Sequence, residues 1–316
     1  MPGLPVLVDL GTLGGDQSWA EDVNDRGQVV GCSHAPSGEM HAFLWEEGRM
    51  RGLGTPAGHD SHAWAVNEYG WVVGYCDDQH GHRHACLWRD AGPQLLPSPR
   101  DCHSVEARAV NDRGQVVGYG EGLLDAKRRR MMRALLWENG RLRDLTAGDP
   151  RGESTPLESA VSINDRGQIV GQAADGVFLW ERGRAHPIRG GYQGAWYINA
   201  LGQALLSKGP PACRWVVWRG GREYELYRGD DGPQATNDRG VAVASMDDGA
   251  TLFHGRTYLN LNRIRWRGPR MHLERATAIN NRGQIVGNGI MNGKEHAFLL
   301  SGVLEAQPPP GGNPWP

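Results

Sequence analysis

Cysteine is scarce and lacks a pairing pattern. The five present, Cys32, Cys76, Cys86, Cys102 and Cys213, form an odd set with no Cys-x-x-Cys pair, which argues against a disulfide framework and a structural zinc knuckle. Excess charge is missing as well: a formal net charge of -2 gives no general attraction to nucleic acid or anionic lipid. No apolar run is long enough to span a bilayer, so a soluble protein without a membrane partner is expected. The first residues, Met1-Pro2-Gly3-Leu4-Pro5-Val6-Leu7-Val8-Asp9, offer neither the basic start nor the apolar middle of a secretory signal, which predicts a cytoplasmic location. Gly-x-Ser-x-Gly elbows, phosphate-binding glycine loops, dinucleotide fingerprints and His-Glu-x-x-His helices are all lacking, so no cofactor is expected.

What the chain does contain is glycine and tryptophan, 46 and 12 residues of 316, a combination suited to tight turns between short aromatic strands. One phrase is written seven times. It begins Asn24-Asp25-Arg26-Gly27-Gln28-Val29-Val30-Gly31 and returns at Asn67, Asn111, Asn164, Asn199, Asn237 and Asn280. A second phrase follows each, His41-Ala42-Phe43-Leu44-Trp45 being the first, and both have the length and patterning of strands. Each unit therefore predicts four strands: A ends in the Asn, B is Gln-Val-Val-Gly, C is the Ala-Phe-Leu-Trp run, and D follows Gly-Arg. In the A–B turn Asn opens a type I turn through its side chain and Gly takes the left-handed closing position. The seventh unit lacks a strand D, whereas Val6-Leu7-Val8-Asp9-Leu10-Gly11 is an orphan one. The reading is an all-β, seven-bladed β-propeller of four-stranded antiparallel blades, closed by the N-terminal strand completing the last blade. Residues 1–304 form one domain, and 305–316 are a Pro/Gly-rich tail expected to be disordered.

Three stretches carry a family likeness: Leu10-Gly11-Thr12-Leu13-Gly14-Gly15, then Ala20 to Gly31, then His41 to Trp45. They resemble the HAF repeat, a bacterial family labelled an extracellular repeat, over roughly residues 5 to 301. The resemblance implies the propeller fold and no particular chemistry. Its label implies export, against the reading of the N-terminus.

The repeats can be compared with one another, and this separates the two ends of the ring. The A–B and C–D turns are short and nearly identical; the B–C and D–A loops vary in length and type, which places function at their end, around the mouth of the central channel. Three clusters belong there. The first joins His59, Asp60 and His62 with Cys76, Asp77, Asp78, His80 and His82, and with Asp101, Cys102, His103 and Glu106. Imidazoles beside carboxylates suit general acid–base work; a divalent metal is conceivable, but no pair has a recognised ligand spacing, and no metal is assigned. His41, His84 and His296 sit at a repeat position and are read as structural.

The second cluster lies at the top of strand A, one residue before and one after a small residue. The preceding column is Trp19, His62, Glu106, Ser159, Gly194, Gly232 and Arg275; the following one is Glu21, Trp64, Arg108, Val161, Trp196, Gln234 and Thr277. Alternate strand residues share a face, so the two columns are expected to point the same way. The third cluster is a pair of basic loops, 122–132 and 263–272, the latter containing Trp266, read as lids over an anionic, partly hydrophobic ligand. Each cluster also has a plain structural reading as solvated loops or blade packing.

Two functions follow. The first is a small-molecule-binding propeller acting as a cofactor-independent acid–base enzyme of lyase, cyclase or isomerase type, possible in secondary metabolism. There His62 or His103 moves a proton and Glu106 or Asp60 orients it. Trp19, Glu21, Trp64, Arg108, Trp196, Arg275 and Trp266 hold a small organic ligand, anionic or partly hydrophobic. The second is a non-catalytic propeller presenting its loop face to a protein or ligand.

Overall fold

In a computed structural model, which describes residues 3–56, 58–90, 92–122, 131–146, 156–209, 213–255 and 257–306, each repeat folds into one antiparallel sheet. Blade 1 runs Ser18–Val23, Val29–His34, Met40–Glu46 and Arg49–Gly52 from the inside outward, and these are its strands A to D. Blades 2 to 6 repeat the order within residues 61–95, 102–144, 157–187, 192–228 and 233–260. Blade 7 takes His272–Ile279, Ile285–Met291 and Lys294–Ser301 from the end of the chain and its outer strand, Val6–Asp9, from the beginning. There Val6 faces Ser301 and Asp9 faces Phe298 in antiparallel register. The N-terminal clasp thus closes a ring of seven four-stranded blades, and no helix among the described residues is long and apolar enough to cross a membrane.

Strand C is apolar on both faces because both sheet faces are covered by neighbouring blades. Ala42, Phe43, Leu44 and Trp45 are all buried, as are the equivalent Ala297, Phe298, Leu299 and Leu300. Leu7 and Leu10 of the clasp join the same core as Phe298 and Trp45, so burial of apolar area holds the two ends of the chain together.

The Asn that begins each repeat phrase does more than open a turn. Asn24 Oδ1 accepts from the N–H of Arg26 at 3.1 Å and of Gln28 at 3.0 Å. Its Nδ2 donates to Gln28 Oε1 at 2.7 Å and to the carbonyl of Asn67, in the next blade, at 2.9 Å. The last of these bonds recurs from Asn67 to Asn111, then Asn164, Asn199, Asn237 and Asn280, and Asn280 returns to the carbonyl of Asn24 at 2.8 Å. A closed ladder of seven amides, all on buried residues, encircles the channel.

Loop 263–272 goes to a different place from the mouth. Leu7 N–H donates to the carbonyl of Arg267 and Arg267 N–H to that of Pro5, both at 2.8 Å. The segment therefore lies along the outer edge of the clasp, pairing Val6 in parallel and covering a strand edge that would otherwise be bare. Trp266 belongs to this edge: its indole N–H donates to the carbonyl of Pro269 at 3.1 Å and its ring packs on the core beneath the clasp. The other basic loop, 122–132, lies outside the described residues from 123 to 130.

Candidate functional site

The channel is lined by strand A of every blade, and a β-bulge decides which residues face it. In blade 1 the register jumps between Ala20 and Asp22; the same jump occurs at Ala63/Ala65, Ala107/Ala109, Ala160/Ser162, Ala195/Tyr197, Pro233/Ala235 and Ala276/Ala278. The extra residue is Glu21, Trp64, Arg108, Val161, Trp196, Gln234 or Thr277, and all seven line the channel. A bulge re-aims its side chain, so the column after the small residue turns inward, whereas Trp19, Glu106 and Arg275 of the preceding column are absent from the lining. The glycine inside strand B makes room for this. A Cβ on Gly74 would come within 1.8 Å of the carbonyl of His62, and one on Gly31 within 1.9 Å of that of Trp19.

The cavity measures about 430 Å³, within the range of small-molecule sites. Its floor is a second ring, outside the amide ladder, built from the residue after each Asn. Glu68 Oε1 accepts from the N–H of Asp25 at 2.7 Å, Asp112 Oδ1 from Glu68 at 2.8 Å and Asp165 Oδ1 from Asp112 at 2.8 Å. Asp238 Oδ1 accepts from Ala200 at 3.1 Å, Asn281 Oδ1 from Asp238 at 2.9 Å, and Asp25 Oδ1 from Asn281 at 2.7 Å. Five carboxylates thus ring the floor, each accepting from a neighbouring blade, and Asp25 and Asp238 also accept from the Asn281 amide through Oδ2, both at 3.2 Å. Burial and then the adjacent acids hold the Glu68 and Asp112 carboxyls above their ordinary range, against the backbone N–H that each accepts.

Above the floor, Asp22 stands where blades 2, 3, 6 and 7 have Ala65, Ala109, Ala235 and Ala278. Its carboxylate accepts from the N–H of Val23 at 2.8 Å and of Val66 at 2.9 Å. Burial nonetheless pushes it up to about 6. Sequence reasoning missed it; the departure from Ala in that column was the available signal.

At the mouth, the wall between blades 1 and 3 is a stack of rings and cations. Arg108 lies 3.8 Å over the ring of Trp64, and that ring meets His62 with centroids 3.9 Å apart. His62 stacks on Tyr75 at 5.8 Å, and Arg83 lies 4.4 Å over Tyr75. Two carboxylates tie the stack. Glu21 Oε1 sits 3.2 Å from His62 Nε2. Glu106, only 2% exposed, pairs through Oε1 with Arg83 and faces Arg108 Nη1 through Oε2 at 3.6 Å. Burial, and then the Glu106 carboxylate beside it, push the Tyr119 phenol up. Among the described residues, Glu106 Oε2 and Trp64 Nε1 are buried without a hydrogen-bond partner.

The structure brings His62, Glu106, Glu21, Trp64 and Arg108 into one contiguous wall, and Trp196 lines the channel across from it, 43% exposed, its indole 3.2 Å from Ser207 Oγ. The other residues singled out from the sequence lie elsewhere. Asp60 accepts from the N–H of Met40 at 2.8 Å, joining blades 1 and 2. His103 is exposed and meets His82 edge-on at 5.9 Å. Trp19 bonds Glu295 through its indole, Arg275 is exposed, and Trp266 is on the clasp edge. His84 and His296 pair with Asp78 at 3.1 Å and Asp9 at 3.0 Å. All five cysteines are free thiols, and among the described residues no three His, Cys, Asp or Glu side chains converge as metal ligands.

No protein-family model matches the chain, and no curated protein matches it either. Solved structures do share its fold. YCF48 bound to a D1 peptide is 12% identical, with 94% of this chain and 98% of that one aligned at a TM-score of 0.52. A puromycin-hydrolyzing peptidase of Mycobacterium tuberculosis is 13% identical at a TM-score of 0.52, over 92% of this chain and 49% of the peptidase. The extracellular domain of the one-component system BT4673 of Bacteroides thetaiotaomicron is 11% identical at 0.51, covering 94% of this chain and 40% of that one. At such identities the likeness is one of fold, which proteins of different function share.

Proposed function

We propose that this chain is a small-molecule-binding propeller whose ligand enters the central channel from the loop-rich end and rests against Trp64, Arg108, Glu21 and Trp196. The observation that carries this reading is the sevenfold bulge. It turns one residue per blade into a cavity of about 430 Å³, and those residues are chemically unlike one another, as a site requires and a repeated packing layer does not. A broad metabolite screen read by tryptophan fluorescence tests it. Ligands should quench the signal in the intact protein, and Trp196→Ala or Glu21→Ala should abolish the response while circular dichroism stays unchanged. A response that survives both substitutions would place binding elsewhere.

One observation favours proton transfer as a second reading. His62 Nε2 and Glu21 Oε1 are 3.2 Å apart, and Glu21 lines the channel, so the pair can pass a proton to a bound ligand with Arg108 beside it to hold developing negative charge. This corresponds to lyase, cyclase or isomerase chemistry. In this reading His62 and Glu21 carry the proton, Glu106 positions Arg108, and His103 and Asp60 have no part. His62→Ala should then abolish turnover of a ligand that still binds.

A further inference from the structure

The channel has a charge that the surface does not share. Seven carboxylates line it, Glu21, Asp22 and the five of the floor ring, against the single guanidinium of Arg108. That is a formal -6 inside a chain whose total is -2. Low-dielectric walls focus such a field, and an anionic ligand would meet repulsion along the whole path.

A compact metal ion fits poorly. The floor carboxylates are spread around the ring, each anchored to a neighbouring blade, and among the described residues no three acids come close enough to share one ion. An extended organic cation meets the opposite situation. The acids form two levels, Glu21 and Asp22 on strand A and the ring beyond its end, in the turns that hold Asp25 and its equivalents. A linear polyamine can set ammonium groups at both levels and lay its methylenes on the apolar wall between.

The aromatic residues of the channel point to a cation rather than to acidity alone. Arg108 lies 3.8 Å over Trp64, so the wall already holds one organic cation between an aromatic face and a carboxylate. Trp196, 43% exposed in the same channel, offers a second face with no cation on it among the described cation–ring pairs.

We infer that the channel binds a linear polyamine, its ammonium groups drawn to Glu21 and Trp196 on opposite walls of the mouth and to the carboxylate ring at the floor. The inference rests on the small-molecule reading above and names its ligand class.

Calorimetric titration of the full chain with spermidine tests it, beside the double variant Asp112→Asn, Asp165→Asn. The fold tolerates this change, because Asn281 already occupies the same position in blade 7 and its amide oxygen accepts the same kind of backbone bond at 2.9 Å. Spermidine should bind the unmodified protein, weaken as salt rises, and lose roughly tenfold or more in affinity in the double variant. Trp196→Ala should weaken it separately. Three outcomes overturn the inference: equal binding by the double variant; magnesium chloride displacing spermidine with the same sensitivity to the floor substitutions; or no spermidine binding while neutral or anionic metabolites still quench Trp196. The last would leave the small-molecule reading standing. Silence towards every compound would remove both.

Discussion

One asparagine amide can satisfy four partners at once, and no other side chain offers two donors and an acceptor in that geometry. Asn111 accepts from Arg113 and Gln115 N–H at 3.1 and 2.9 Å and donates to Gln115 Oε1 and the carbonyl of Asn164 at 2.8 and 3.0 Å. Because the residue is buried, losing the amide strands polar groups that water cannot reach. Asn111→Ala should lower unfolding stability by about 2–4 kcal/mol, read from the denaturant midpoint. A loss below about 0.5 kcal/mol, the ordinary surface range, would show the ladder to be incidental. The turn itself was legible, because Asn and Gly at those offsets have a local reason. The bond to the next blade was not, since Asn111 and Asn164 stand 53 residues apart and only closure of the ring brings them together.

At the scale of an element, the bulge in strand A and the loop at 263–272 show how period-two reasoning and loop comparison each reach a limit. Strict alternation puts the columns before and after the small residue on one face; an inserted residue breaks the alternation and gives the channel to the second column alone. The clue was present in the glycine inside strand B, whose missing Cβ admits a carbonyl, but a glycine is equally at home in a turn. Length and variability alone place the basic loop at the mouth. It pairs instead with Pro5 and Leu7, residues far removed in sequence. Trp266→Ala should therefore lower stability by about 2 kcal/mol through lost packing and leave ligand quenching at Trp196 unchanged. Lost ligand response with full stability would put Trp266 back at the site.

For the whole molecule, enclosing so many acids makes stability depend on pH. Burial raises the Asp22 carboxyl from 3.8 to about 6, and Glu68 and Asp112 move the same way. A carboxyl that holds its proton more tightly when folded favours the folded state most at low pH; that contribution is lost as pH rises through the folded value. For Asp22 the window is from 3.8 to about 6. The difference in melting temperature between the protein and Asp22→Ala, followed by scanning calorimetry, should shift in favour of the variant across that window. A difference independent of pH would mean that Asp22 titrates normally. Alanine is the apt replacement because it is what blades 2, 3, 6 and 7 carry there.

Repetition is a property that a sequence can state by itself. Seven copies of one strand-turn-strand phrase, with an unmatched strand at the start and a vacancy at the end, leave a ring closed by the two chain ends as the arrangement that pairs every strand. The residues of the wall were legible as types, because His62, Glu106, Trp64 and Arg108 break the columns of their repeat. Which of them face the cavity, which acids surround it, and that the cavity is negative were decided by the tertiary structure. Bulges, interblade hydrogen bonds and the summed field of separate blades arise only when distant segments lie side by side.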